Sequence, residues 1–350
     1  MDNSLKNLFF LNILIKLTLV GLVVLGFHFF PFALAFHDAN FTYPPNEHIT
    51  IWTCFKTWDA QHYIYLAEQG YAPGQISNGF FPLLPFLMRV LRWLFLGNTL
   101  ITGLFITNSL SFLVVWVSYA LVKQLFDETT AFYSGVLLLS FPTSFYMSLT
   151  YTESLFLALA IGFFYFLYKK EHTLAFVCAM LLPLTRVQGI LVVLPLLAHL
   201  FFKAIKKGKL ELTLSLEYLH VLAFIIGSGA YLAIMKYYTG DFMSGIDVHG
   251  MNMVNKANIW NMLDPIGWFL RNFINIKFVL HSFTSSIIDR GFFLFYLILM
   301  YPGYRKLDRT MFAYFLVLGL VPALTGSFMA YTRYLLQVFP VFIVLGAELK

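Results

Sequence analysis

Charge is what this sequence has least of. Only 11% of its 350 residues are Asp, Glu, Lys or Arg, against about 25% in soluble globular domains. With 59% hydrophobic residues and a mean hydropathy of +0.76, a soluble domain is excluded and an integral membrane protein remains. Cysteine is nearly absent as well. Cys54 falls in a loop and Cys178 in the middle of an apolar run, a placement that argues against a disulfide between them. There is no large excess of one sign to meet nucleic acid: the formal charge is +6, and the basic residues fall mostly in short connections, where the positive-inside rule accounts for them. No internal repeat, low-complexity tract or linker interrupts the chain, so residues 1–350 read as a single membrane domain. The first apolar run, Leu8 to Phe36, is too long for the core of a signal peptide and no small-residue cleavage signature follows it, so it is expected to stay as an anchor.

What is present is a succession of apolar runs. They predict about ten transmembrane helices near residues 8–36, 100–122, 130–149, 154–168, 173–184, 187–202, 215–238, 287–303, 310–328 and 333–348, an all-α polytopic protein. Lys6, Lys123, Lys169 with Lys170, the cluster Lys203, Lys206, Lys207 and Lys209, and then Arg305, Lys306 and Arg309 share one side on this layout, the cytoplasmic one. Two placements decide that sidedness. The run 80–96 is interrupted by Arg89 and Arg92, so it is expected to be an amphipathic juxtamembrane helix in continuation of the first outer loop. Residues 173–202 are expected to form a hairpin of two short helices with its tip at LTRVQG, which keeps the lysine cluster inside. The non-cytoplasmic face then receives the 37–79 loop, the PTSFYMSLTYTES turn, Thr185 to Gly189, the 239–286 segment and the MAYTRY turn, while 259–283 reads as an interfacial helix.

The densest cluster of reactive side chains lies between Trp52 and Pro85, in WTCFKTWDAQHYIYLAEQGYAPGQISNGFFPLLP. Asp59 and His62, three apart, share one face of a predicted helix, and Tyr63, Ile64, Leu66 and Ala67 give it an apolar side suited to lying flat on a membrane surface. Asp59 is read either as a helix N-cap or as a functional carboxylate, and the aromatic before it and the histidine after it favour the second. Glu153, in YTESLF, reads as a first-turn carboxylate beside Thr150 or Thr152 or as a substrate contact. Arg186 and Arg333 are flanked by apolar sequence and each requires an anion: Asp59, Glu153 or Glu68, a lipid headgroup, or a lipid phosphate. Asp59 with His62 is too small a set for a metal site, so neither a metal nor another cofactor is expected. Lys16 and Lys236 are expected to snorkel toward polar surroundings, and the Phe-Pro pairs at Phe30, Phe81, Phe141 and Phe339 to mark kinks.

Four segments, WDAQHYIYLAEQGY with FFPLLP, FPTSFYMSLTYTESLF from Phe141, LTRVQG at Leu184 and RYLLQVFP from Arg333, resemble in content and order the PIG-V-like branch of the GT-C mannosyltransferases, with Gln188 standing where that family has Asn. The resemblance implies a GT-C fold, a polyprenyl-phosphate (dolichyl-phosphate-mannose-like) sugar donor, and inverting transfer to an acceptor hydroxyl on the non-cytoplasmic face. Asp59 is the base it implies, and Trp58, His62, Glu153, Arg186, Gln188, Arg333 and Tyr334 are the expected substrate-binding residues. The acceptor class it allows is a glycolipid, a glycan or a protein, and the membrane a prokaryotic plasma membrane or that of the endoplasmic reticulum. The chemistry is consistent: one carboxylate takes the proton of the attacking hydroxyl, and a phosphate leaving group needs no acid. An aspartate, with a reference pKa of about 3.9, is ionised at neutral pH. The alternative, a polytopic transporter or flippase of a lipid-linked sugar, fits less well, because the acidic residues lie in predicted outer loops and no repeat is visible.

Overall fold

The computed structural model describes residues 2–206, 209–210, 215–252, 259–280, 286–325, 328 and 330–350. The first half carries α1 (Asn3–Phe29), α2 (Leu34–Asp38), α3 (Asp59–Glu68), α4 (Leu83–Leu91), α5 (Thr99–Leu125), α6 (Glu128–Ser140) and α7 (Glu153–Tyr168). Then come α8 (His172–Leu181), α9 (Val187–Leu191), α10 (Val193–Ala204), α11 (Tyr218–Thr239), α12 (Ser244–Asn252) and α13 (Pro265–Phe269). The chain closes with α14 (Ile287–Ile298), α15 (Met300–Lys306), α16 (Arg309–Thr325), α17 (Tyr331–Leu336) and α18 (Pro340–Glu348). The only strands among the described residues are Ile205–Lys206 and Lys209–Leu210, paired antiparallel; Lys207, from the predicted cytoplasmic cluster, and Met329, from the MAYTRY turn, lie outside the described residues.

Helices stand in all ten places where the apolar runs predict spans, and the polar residues at their starts explain several boundaries. Asn98 accepts from the Ile101 N–H at 3.0 Å to open α5, Asp127 from the Thr130 N–H at 3.0 Å to open α6, and Ser286 from the Asp289 N–H at 3.1 Å to open α14. Four stretches are long and apolar enough to cross a bilayer by themselves: α1, α5, Val187–Ala204 and α11. Several predicted spans are shorter than expected. The first apolar run predicts a span over 8–36, but α1 ends at Phe29, just before the Phe30-Pro31 pair; proline lacks the N–H a continuing helix would use, and α2 starts afresh. The predicted 130–149 span ends at Ser140, before Pro142, and the 333–348 span breaks between α17 and α18 at Pro340.

This shortness bears on the 141–152 turn. At 1.5 Å per residue, α6 and α7 reach roughly 20 and 24 Å, less than the ~30 Å hydrocarbon core. The other end of α6 is tied by ion pairs, Lys123 to Glu128 at 2.9 Å and to Asp2 at 2.5 Å, and Lys350 to Asp127 at 2.8 Å, and that of α7 by the Tyr168 hydroxyl, which donates to Asp308 at 2.9 Å.

Two expectations about the surface helices are corrected. The α3 helix does not lie flat on a membrane: Ala60, Gln61, His62, Tyr63, Ile64, Leu66 and Ala67 are all buried, because the apolar side meets α4, α5 and Tyr151 in a core of its own. The predicted interfacial helix at 259–283 is a chain of short pieces, a 3-10 turn at Ile259–Leu263, α13, and a π turn at Leu270–Ile274; its last three residues lie outside the described set. The 80–96 run forms α4, nine residues long, too short to span, with Leu83, Leu84 and Met88 buried. Arg89, which interrupts that run, donates to the carbonyls of Ala67 at 2.8 Å and Glu68 at 2.9 Å and so closes the C-terminus of α3.

The hairpin tip at LTRVQG depends on one glycine. A Cβ at Gly189 would collide with the Leu182 carbonyl, so any side chain there would open the turn that brings Arg186 to the interior.

Candidate active site

Four segments far apart in the chain meet at one end of the bundle. The first is the start of α3. Trp58, half exposed, occupies the N-cap with φ 45° and ψ −118°, a left-handed backbone that a bulky residue rarely adopts. Such a conformation costs on the order of 1–3 kcal/mol and persists only where neighbours impose it. Here they do: the Tyr151 hydroxyl donates to the Thr57 carbonyl at 2.9 Å, and Tyr63 and Thr152 share a hydrogen bond of 3.3 Å, so the 149–152 turn grips the chain on both sides of Trp58. Asp59 is therefore the first residue inside the helix and not its cap, and its carboxylate turns away from the helix to Arg333, Nη1 to Oδ2 2.5 Å.

The second, third and fourth segments, with Glu153, Arg186 and Arg333, complete a chain of charge. Glu153, first residue of α7, has a side chain with no exposure at all, and its Oε1 accepts from Arg333 Nε at 2.5 Å and from Arg186 Nη1 at 3.0 Å. Its Oε2, equally buried, has no partner among the described residues. Arg186 also donates from Nε to Gln188 Oε1 at 3.2 Å, and the Gln337 amide, oriented with its oxygen toward the guanidinium, accepts from Nη1 at 2.7 Å. Two carboxylates and two guanidiniums thus alternate as Asp59, Arg333, Glu153, Arg186, and their formal charges cancel. Of the anions open to the two arginines from sequence, the structure supplies Asp59 and Glu153; Glu68 instead accepts from the Tyr43 hydroxyl at 2.9 Å.

The arginines are held from the sides too. The Arg333 guanidinium lies between the rings of Tyr146 and Tyr151, 4.7 Å from each centroid, and Arg186 lies over Phe156 at 6.0 Å. Sequence reading singled out none of Tyr146, Tyr151, Gln337 or Asp289. The first two were visible as aromatics within the YTES segment, and Gln337 as the lone amide in RYLLQVFP. Asp289 carried no signal. It is buried at the start of α14, and its Oδ1 accepts from the Thr332 N–H at 2.8 Å and the Thr332 hydroxyl at 2.6 Å. On the other side the Thr143 hydroxyl donates to the Thr332 carbonyl at 3.1 Å, so the residue before Arg333 is fixed at three atoms.

The remaining predicted residues stand apart from the charge chain. Tyr334 is half-buried on α17 beside Arg333. His62 is sandwiched between Phe41 and Phe80, each ring stacked at 4.2 Å, with Nδ1 2.9 Å from the Ser77 hydroxyl. Burial pushes its pKa down to about 4 from the usual 6.5, against a smaller opposing pull from Asp59. The folded ring therefore binds fewer protons than the unfolded one between those values. Stability is full above pH 6.5 and is lost as pH falls toward 4, by about 3 kcal/mol in all. His62→Phe, which keeps the stack and removes the proton site, is expected to flatten that part of the profile; thermal midpoints of both proteins from pH 7.5 to 4.5 check it, and parallel curves would refute it. Among the described residues no group of three or more His, Cys, Asp or Glu side chains is placed to hold a metal ion.

Comparison with known proteins bears on what this arrangement belongs to. A search of the curated proteins finds no match. Among solved structures, the apo crystal structure of the Archaeoglobus fulgidus oligosaccharyltransferase is similar at a TM-score of 0.53 and 12% identity, covering 97% of this chain and 50% of that one. The same enzyme tethered to an acceptor peptide containing the NVT sequon gives a TM-score of 0.43 at 11% identity, over 97% of this chain and 49% of that one. The chain thus spans about half the length of the solved structures it matches. At such identity the apo likeness establishes the fold, the GT-C one, and nothing about substrates. The family model for mannosyltransferase (PIG-V) matches residues 45–242, an interval that holds three of the four segments converging on the site, including Asp59, Glu153 and Arg186. The match extends over more than half of the chain, which belongs to the mannosyltransferase (PIG-V) family.

Proposed function

We propose that this protein is an inverting glycosyltransferase that moves a mannose-type sugar from a polyprenyl-phosphate donor to an acceptor hydroxyl, on the non-cytoplasmic side of its membrane, with residues 1–350 acting as one unit. The observation that carries the reading is a buried carboxylate oxygen without a partner among the described residues beside the two arginines, Glu153 Oε2. Asp59, partly exposed, gives Oδ2 to Arg333 and keeps Oδ1 outside that ion pair. A buried carboxylate oxygen is ordinarily hydrogen-bonded, and a sugar hydroxyl is a donor of the right kind.

In the proposed reaction Asp59 Oδ1 removes the proton of the acceptor hydroxyl as its oxygen attacks the anomeric carbon. The bond from that carbon to the phosphate oxygen breaks, and the electron pair leaves with the phosphate, which needs no proton. Arg333 fixes the orientation of the base. Glu153 Oε2 receives a sugar hydroxyl, and Trp58, Gln188, Tyr334 and the edges of Arg186 and Arg333 turned away from the carboxylates complete the substrate surface, while His62, stacked between Phe41 and Phe80, braces the helix that carries Asp59. The shortness of α6 and α7, which carry the 141–152 turn between them, supports a donor that arrives within the bilayer. The acceptor is a glycolipid, a glycan or a protein.

The test is purified protein given a short-chain polyprenyl-phosphate mannose and an alkyl mannoside. Release of polyprenyl phosphate that depends on the mannoside is expected, and a donor that stays intact with a range of hydroxyl acceptors would sink the reading. The side is tested separately by single cysteines in a background lacking Cys54 and Cys178. A cysteine at Asn46 is expected to react with an impermeant maleimide from outside and one at Lys170 not to; the reverse pattern would invert the orientation.

A further inference from the structure

Lys16 is an ammonium placed where an apolar membrane helix should not have one. It is the fourteenth residue of the 27-residue α1, with Leu14 and Leu17 beside it facing outward. A charge at that depth is costly, and the side chain is expected to snorkel toward polar surroundings. It finds them inside the protein: Lys16 Nζ donates to the Ser148 hydroxyl at 3.2 Å, a neutral partner, and no carboxylate among the described residues lies within ion-pair distance. Every other cation near the site has one, since Arg186 and Arg333 are each engaged by carboxylate.

Its surroundings connect it to that site. Ser148 ends the 144–148 turn, whose Tyr146 stacks on Arg333, and the chain runs from it directly to Glu153. Further along α1, Leu19 and Val23 pack on the core containing Ala60, Tyr63 and Tyr151, so this face of α1 climbs from Lys16 to the start of α3. One turn the other way, Asn12 donates to the Ser111 hydroxyl at 3.2 Å, and Asn108 on α5 donates to the Ser148 carbonyl at 3.1 Å. A polar seam therefore runs between α1, α5 and the turn, with Lys16 on it.

We infer that Lys16 forms one half of a phosphate site, an intramembrane cation that takes the phosphate of the lipid-linked donor as it enters sideways between α1 and the 144–148 turn. The assignment rests on the donor class proposed above. An ammonium held on a lipid-facing helix by a neutral hydroxyl alone calls for an anion that the lipid itself can carry, and a phosphate on a polyprenyl chain is one whose tail stays in the bilayer while its sugar reaches Asp59. Bulk phospholipid headgroups share the chemistry, and the experiment separates the two.

The measurement is binding of a short-chain polyprenyl phosphate to wild type, Lys16→Met and Lys16→Arg in nanodiscs, with and without added phosphatidylglycerol, beside donor KM, kcat and thermal midpoint. Methionine keeps the length without the charge. Lys16→Met is expected to weaken binding by roughly ten- to a hundredfold, to raise donor KM by a like factor with kcat little changed, and to leave the thermal midpoint equal or higher. Arginine should recover most of the affinity, and phosphatidylglycerol should not compete. Unchanged affinity in Lys16→Met overturns this assignment alone. Competition by phosphatidylglycerol as strong as by the polyprenyl phosphate overturns it in favour of a headgroup site. Absence of polyprenyl phosphate binding in the wild type overturns the donor reading and this inference together.

Discussion

Replacing Glu153 by Gln is expected to destabilise the protein by about 3–5 kcal/mol, the usual cost of leaving a buried charge without its partner. The carboxylate has no exposure, and one of its oxygens accepts from two guanidiniums at 2.5 and 3.0 Å. Glutamine fits the same space and still offers a carbonyl oxygen, but it removes the charge, leaving Arg186 and Arg333 with Asp59 as their only anion. The expected result is a large fall in thermal midpoint, with or without detectable folded protein in detergent. A second variant keeps the idea testable if the first does not fold. Glu153→Gln combined with Arg186→Met removes one charge of each sign and leaves the Arg333–Asp59 pair, 2.5 Å apart, intact. That double variant should recover much of the lost stability, since the two sites are coupled through one oxygen. A Glu153→Gln midpoint equal to wild type would mean that the four groups do not act as a charge chain.

The limits of the sequence are visible in the same four groups. Apolar runs broken by Pro and by Asn, Asp or Ser caps are local signals, and they placed helices at all ten expected sites. The pairing of Arg333 with Asp59 is not local: 274 positions separate them, and nothing in either flank says which anion an arginine will find. Sequence could state only that each arginine required one. The burial of α3 was misread for a related reason. Its alternation of polar and apolar residues fits a surface helix, but the polar members are consumed within the protein: Gln61 accepts from the Tyr43 N–H at 2.5 Å, and His62 meets Ser77 at 2.9 Å. A side chain whose polar atoms are satisfied internally looks, in a sequence, like one satisfied by water. Asp289 was missed because it caps α17 from another helix, and a cap supplied across the fold leaves no mark beside the segment it serves.

Asp59→Asn is expected to lower turnover by 10² to 10⁴-fold, the usual loss when a general base is removed, with stability reduced by only on the order of 1 kcal/mol. The two effects separate because the structural duties near Asp59 are carried elsewhere. Trp58 holds the N-cap position and makes no side-chain cap bond, so exchanging the first residue of α3 removes no cap. Arg333 keeps Glu153 at 2.5 Å and the two tyrosine rings, and the asparagine oxygen can still accept from it. The proton acceptor itself is what disappears. Binding of a short-chain polyprenyl phosphate should persist, which distinguishes a missing base from a collapsed site. Glu68→Gln serves as the control, a carboxylate at the other end of the same helix whose partner is the Tyr43 hydroxyl at 2.9 Å. It should keep near-normal turnover. If Asp59→Asn transfers sugar at the wild-type rate, the base is another group, and the unpaired Oε2 of Glu153 becomes the first to examine. If instead both variants lose turnover and midpoint together, the α3 helix acts through its fold and not through a single carboxylate.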